Sequence, residues 1–175
     1  MFLFGRSNGG LIATNMCSGI GEKMFKAAAL LTPFYRLANE GLYAQLPKIK
    51  IINFFHPRMV IKRQITEKPP EYIAKWGHIF NDEGEVKLVT PLTVVNWSVM
   101  QEKAKQVIKT TTVPLFMITA EKDETVSNKA IKDFFALSSN PKNKILHVMD
   151  CDHSNLLFDE PLVSCFIRDT INFFN

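Results

Sequence analysis

Four largely apolar runs constrain the fold of this chain more than any other feature: Phe2-Leu3-Phe4, Phe25–Leu31 (FKAAALL), Val113–Thr119 (VPLFMIT) and Lys144–Met149 (KILHVM). A strand with one wet face alternates apolar and polar residues. Runs without that alternation suit strands covered on both faces, as in a parallel sheet flanked by helices. Helical patterns separate the runs. Leu11–Ile20 reads as a helix ending near Gly19 and Gly21. Between Val126 and Ser138, the residues Ala130, Ile131, Phe134 and Phe135 recur at helical spacing. From Pro161 onward Leu162, Val163, Phe166, Ile167, Ile171 and Phe174 form one stripe, behind Asp159 and Glu160 at the helix start. Strand alternating with helix predicts an α/β fold, a parallel sheet of about four strands flanked by helices.

The alternation is interrupted once, by a long proline-punctuated insertion over 34–112. It holds a candidate helix at Leu92–Ile108 and a polar turn at Asn81-Asp82-Glu83-Gly84. An insertion of this length is rarely idle loop, so it reads as a cap or lid. The expected organisation is therefore 1–33 as the first part of the core, 34–112 as the cap, and 113–175 as the second part of the core.

The chain has 175 residues, 46% apolar and 22% charged, the proportions of a globular domain with a sizeable core. No apolar run approaches the roughly 18 residues needed to span a bilayer, and the amino terminus has no signal-peptide pattern. Cys17, Cys151 and Cys165 form no CxxC pair, which suggests neither a disulfide framework nor a zinc site. A reduced, cytoplasmic setting is expected, with no metal and no cofactor. Charge is uneven: from Arg36 to Arg63 six basic residues stand against Glu40 alone, a local +5 in a total of +4. Beside apolar side chains, such a segment suits either peripheral contact with an anionic membrane or an ordinary solvated face. No nucleic-acid motif is present.

Chemistry enters with Gly5-Arg6-Ser7-Asn8-Gly9, directly behind the first strand. A serine hydroxyl is a poor nucleophile until a histidine takes its proton, and that imidazole needs a carboxylate to orient it. In an α/β sheet such groups gather on loops at the carboxyl ends of strands. The third run ends in Glu121-Lys122-Asp123-Glu124, the fourth in Asp150-Cys151-Asp152-His153-Ser154-Asn155. The order Ser7, Asp123, His153 is that of an α/β-hydrolase. Glu121 and Glu124 remain alternative acids. His147 reads as structural, and His56 and His78 lie in the insertion without a clear partner. The spacing of Cys151, Asp152 and His153 does not suit a metal.

With these motifs in order, the chain resembles the carboxyl-terminal part of the monoglyceride lipase and lysophospholipase branch of the α/β-hydrolases, the serine aminopeptidase-like family. GRSNGG is similar to that branch's nucleophile turn, VPLFMITAEKDETVSN to its strand-then-acid segment, and HVMDCDHSNLLFDEP to its histidine segment. Ala120 stands where the family has glycine. The resemblance implies a partial α/β-hydrolase fold with Ser7 as nucleophile, His153 as base and Asp123 as orienting acid. The backbone N–H of Asn8 would serve the oxyanion. It implies a serine ester hydrolase acting on lipid-like esters such as monoacylglycerols or lysophospholipids.

A complete member carries further strands before the nucleophile strand, and one of their loops supplies the second oxyanion N–H. Losing one such donor costs about 10²–10³ in rate. Two expectations follow for this chain: weak activity alone, and self-association through a bare apolar edge at Phe2-Leu3-Phe4. The alternative to a hydrolase is a truncated, catalytically weak remnant that works as a binding module.

Overall fold

The computed structural model describes residues 1–62, 70, 74, 88–138, 144–153 and 155–175. The polar turn read at Asn81–Gly84, and with it Arg63, His78 and Ser154, lies outside the described residues. Two compact units are formed, Met1–Ala44 with Ser98–Asn175, and Gln45–Trp97.

The first unit is built on four parallel strands: β1 (Phe2–Arg6), β2 (Ala27–Leu31), β5 (Leu115–Ala120) and β6 (Lys144–Met149), in the spatial order β1-β2-β5-β6. Every residue of β2 and of β5 is buried, which explains why their sequences never alternate. Pairing starts at Phe2↔Ala27, Ala28↔Leu115 and Leu115↔Lys144. β5 begins after Pro114, which has no N–H to give but whose carbonyl accepts from Ala28.

Helices cover both faces of this sheet. Alternate residues along a strand share a face, so Ala29 and Leu31 join Phe116, Ile118 and Ala120 in one cluster. Phe166 of α8 (Glu160–Phe174) completes it, with Cys151 and Leu156, and Phe173 and Phe174 pack against it. α1 (Asn8–Met16) packs on β1 and β2, and α6 (Asn128–Leu137) on β5. Ser127 caps α6, its hydroxyl accepting from the Ala130 N–H at 3.2 Å. The helix read at Leu11–Ile20 begins three residues earlier and ends at Met16, and Gly19, with a φ of +60°, stands at the start of the separate α2 (Ile20–Met24). A short α7 (Asn155–Phe158) precedes α8.

β1 is an outer strand, and among the described residues nothing is paired on its far side. Phe2 stacks on Phe174 at 4.4 Å and Phe4 meets Phe166 at 5.6 Å, yet they remain 45% and 51% exposed. The edge read as bare is thus half-covered by α8. A groove of about 250 Å³ opens between Phe4 and the α8 residues Phe166, Ile167, Thr170, Ile171 and Phe174.

Between β2 and β5 the chain forms α3 (Gly41–Ala44), α4 (Leu46–Phe55), the antiparallel pair β3 (Ile61–Lys62) and β4 (Leu88–Val89), and α5 (Pro91–Thr110). α5 extends the helix read at Leu92–Ile108 by one residue at its start and two at its end. It starts in the second unit and ends in the first, where the Met100 carbonyl accepts from Asn15 and Gln101 hydrogen-bonds Tyr43. In the second unit α4 carries Pro47 in its first turn, buries Ile49, and leaves Ile51, Phe54 and Phe55 exposed. Among the described residues no helix is long and apolar enough to cross a membrane.

Candidate active site

Ser7 joins β1 directly to α1, and its backbone is strained. With φ 49° and ψ −119° it occupies a region that side-chain-bearing residues rarely adopt. Four backbone hydrogen bonds hold it there. Its N–H donates to the Leu31 carbonyl at 2.9 Å, and its own carbonyl accepts from Gly10, Leu11 and Phe34 at 3.0, 3.2 and 2.8 Å. The strand and helix approach so closely that a Cβ on Gly5 would lie 2.4 Å from the Gly9 carbonyl oxygen, and one on Gly10 2.9 Å from Pro33 Cα. The strained turn lifts Ser7 onto the start of α1. Among the described residues, no acceptor takes the Asn8 N–H that follows it.

Asp123 follows β5 in the turn leading to α6. Its side chain is fully buried and both of its oxygens are engaged. Oδ1 accepts from the N–H groups of Thr125 and Val126, each at 2.8 Å. Oδ2 lies 2.6 Å from His153 Nδ1, and the imidazole is only 13% exposed. A buried carboxylate with two backbone donors cannot rotate away, so it fixes both the plane of the ring and the nitrogen that carries the proton. A carboxylate only accepts, so Nδ1 is the donor of this bond. Glu121 and Glu124 are exposed, and neither is the partner of His153. Ala120, at the end of β5, has no positive φ, so no glycine is required there.

The other ionisable groups of the histidine loop are occupied elsewhere. Asp150 pairs with Lys122 at 2.7 Å, and that bond raises the ammonium's pKa. Asp152 Oδ1 accepts from the Asn155 N–H at 2.8 Å. Burial, reinforced by the Asp152, Asp123, Asp150 and Asp159 carboxylates, pushes the Cys151 thiol up to about 11. Cys151 is therefore a neutral core residue and no rival nucleophile. His147 lies 3.3 Å from Asp169 and edge-on to Phe116, a structural position; His56 is exposed at the end of α4.

The structure thus joins Asp123 to His153 directly. Among the described residues no hydrogen bond links the Ser7 hydroxyl to His153; contacts of this kind are often long without substrate and tighten when it binds. β1 is tied to the loop after β6 by Arg6, which donates to the His153 carbonyl at 3.0 Å. Sequence reasoning also passed over Thr32, at the end of β2. It is buried with φ 40°, an outlier for a β-branched residue, and its hydroxyl finds no partner among the described residues. Its position before Pro33 was the available signal, but that signal points to extended backbone instead.

Residues 1–160 match the sequence profile of the family described as serine aminopeptidase, S33, and the chain belongs to that family. No curated protein matches the chain. Among solved structures it is similar to the monoacylglycerol lipase of Paleococcus ferrophilus, at 13% identity over 94% of this chain and 66% of that one, TM-score 0.75. It is also similar to a soluble variant of the Saccharomyces cerevisiae monoglyceride lipase bound to a substrate analogue (18% identity, 98% of this chain and 60% of that one, TM-score 0.78). A third is the enol-lactonase of Burkholderia xenovorans (13% identity, 98% and 64%, TM-score 0.60). At these identities the likeness is one of fold, the α/β-hydrolase fold. The chain spans 60% to 66% of the length of these relatives.

Proposed function

We propose that the chain carries the acyl-transfer machinery of a serine ester hydrolase. The observation that carries this reading is the buried Asp123–His153 pair at 2.6 Å, on the same end of the sheet as a serine held at φ 49°. In this scheme His153 Nε2 takes the proton of Ser7 Oγ as the oxygen bonds to the ester carbonyl carbon. The oxyanion is met by the Asn8 N–H. His153 then returns the proton to the departing alcohol, leaving an acyl-enzyme that water hydrolyses by the same route. The monoacylglycerol and monoglyceride lipases among the similar structures support monoacylglycerols as substrates, and the sequence resemblance adds lysophospholipids. Treatment of the chain with a fluorophosphonate probe tests the reading directly, since the probe needs an activated serine and no turnover. The expected result is one label per chain, lost in Ser7→Ala; labelling that persists in that variant would refute it.

A second reading, a weakly catalytic module that binds a partner through β1, is favoured by the half-exposed Phe2 and Phe4 on a strand whose outer side is unpaired among the described residues. A folded chain that takes no label but associates in light scattering would favour this module.

We further propose that residues 34–112 act as the cap and contact anionic lipid surfaces. Lys48, Lys50 and Arg58 are exposed beside exposed Ile51, Phe54, Phe55, Met59 and Val60, a mix of charge and apolar area suited to an interface. Co-sedimentation with vesicles should rise with anionic lipid and fall with salt. Phe54→Ser with Phe55→Ser should weaken it; binding indifferent to all three would count against the proposal.

A further inference from the structure

Ser7 and His153 follow the two outermost strands of the sheet. β1 and β6 are separated by β2 and β5, so at about 4.8 Å per interval they stand about 14 Å apart. The chain leaving β6 must therefore return across the end of the sheet before His153 can serve Ser7. It is caught from two sides. Asp123, from the loop after β5, holds the imidazole through Nδ1 at 2.6 Å. Arg6, the last residue of β1 and the immediate neighbour of Ser7, donates from its guanidinium to the backbone carbonyl of His153 at 3.0 Å.

We propose that Arg6 is a positioning residue that ties the histidine loop to the nucleophile strand and so sets how close His153 Nε2 stands to the Ser7 hydroxyl. The proposal deepens, and rests on, the assignment of Ser7, Asp123 and His153 above. Three features support it. The contact ends on the main chain of His153 itself, so it places the residue whatever its ring does. Its donor is a guanidinium, charged at every working pH, and charge-assisted bonds are about twice as strong as neutral ones. Its other end is anchored, because Arg6 is the last residue in register with β2, opposite Leu31. The loop is also held by the Lys122 N–H, which donates to the Cys151 carbonyl at 2.9 Å, and by the buried Cys151 and Leu156 on either side of His153; Arg6 adds to these a bond from the residue before Ser7 to the main chain of His153 itself.

The test compares Arg6→Met, which keeps a stem of similar reach without charge or donors, with Arg6→Lys and with Lys129→Ala, an exposed control on α6 whose ammonium pairs with Asp133. Two readouts are taken on each chain. One is the low-field proton of the His153 Nδ1–Asp123 hydrogen bond and its exchange with water, which requires no catalysis. The other is the rate of fluorophosphonate labelling at Ser7. Arg6→Met is expected to speed the exchange, or slow the labelling, by about tenfold. Arg6→Lys should recover part of the loss, and Lys129→Ala should change nothing. A low-field proton and a labelling rate both within about twofold of the unaltered chain in Arg6→Met would overturn the proposal and leave the hydrolase assignment standing. An unaltered chain that takes no label, but whose low-field proton responds to Arg6, would overturn the hydrolase assignment and leave the tether. Should Arg6→Met fail to fold, Arg6→Gln against Arg6→Lys is read by the same criteria.

Discussion

Asp123→Asn should lower the rate of acyl or phosphonyl transfer at Ser7 by about 10⁴-fold while leaving the fold in place. The geometry gives the reason. The amide oxygen of asparagine can still accept from Thr125 and Val126, as Oδ1 does now at 2.8 Å from each. The atom facing His153 Nδ1 then becomes an NH₂ donor, so Nδ1 must accept and the ring proton moves to Nε2. That nitrogen, the base in the proposed scheme, no longer has a lone pair for the hydroxyl proton. Asp123→Ala should cost more stability, because the two backbone donors of the turn lose their acceptor in a buried place. Glu121→Gln and Glu124→Gln are the discriminating controls: both side chains are exposed and neither is the partner of His153, so both variants should keep the parent rate. The measurement is the labelling rate with a fluorophosphonate, or hydrolysis of a short p-nitrophenyl ester, beside a thermal melt. A loss of less than about tenfold in Asp123→Asn would remove Asp123 from the proposed mechanism, since orienting groups of this kind carry far more.

Spacing alone does not choose among the three carboxylates at 121–124; in the sequence only the family resemblance names Asp123. All three follow the same strand, and any could have been written as the acid. What makes Asp123 the partner of His153 is the backbone of the turn, which aims two N–H groups at one side-chain oxygen of Asp123 and so presents the other oxygen to His153. The strands, by contrast, were legible because β2 and β5 are buried on both faces and write that burial into unbroken apolar runs. The start of α1 was not. Asn8, Gly9 and Gly10 are poor helix formers, and the helix begins there because the strained serine turns the chain into it. Position and order of Ser7, Asp123 and His153 could be read from motifs. Arg6 could not, because its partner is a carbonyl 147 residues away, a contact that leaves no periodicity and no local signature. Thr32 escaped for the opposite reason. Its local signature is a residue before proline, which argues for extended backbone, and the packed end of the sheet overrides it.

The two glycines that frame the serine should respond oppositely to the same substitution. In Gly5→Ala the new methyl would stand 2.4 Å from the Gly9 carbonyl oxygen and 2.8 Å from the Ala13 Cβ. The first of these is main chain in α1, so no side-chain rotation relieves it; either β1 or the helix must move. Overpacking of this kind costs about 1–3 kcal/mol, which for a chain of this length lowers Tm by between about 2 and 12 °C. Because α1 starts at the residue after Ser7, any shift of the helix also drags the Asn8 N–H and the serine backbone, and labelling should fall with stability. Gly9→Ala meets nothing within 4 Å. It sits in the first turn of α1 with no positive φ, where replacing glycine restricts the unfolded chain and stabilises by about 0.4–1 kcal/mol. A motif reading would treat the two positions as equivalent; the packing makes one an obligatory close approach and the other a free surface. Paired thermal melts of the two variants decide the matter. A Gly5→Ala chain that melts with the parent would mean that strand and helix do not approach as closely as the tight turn at Ser7 requires.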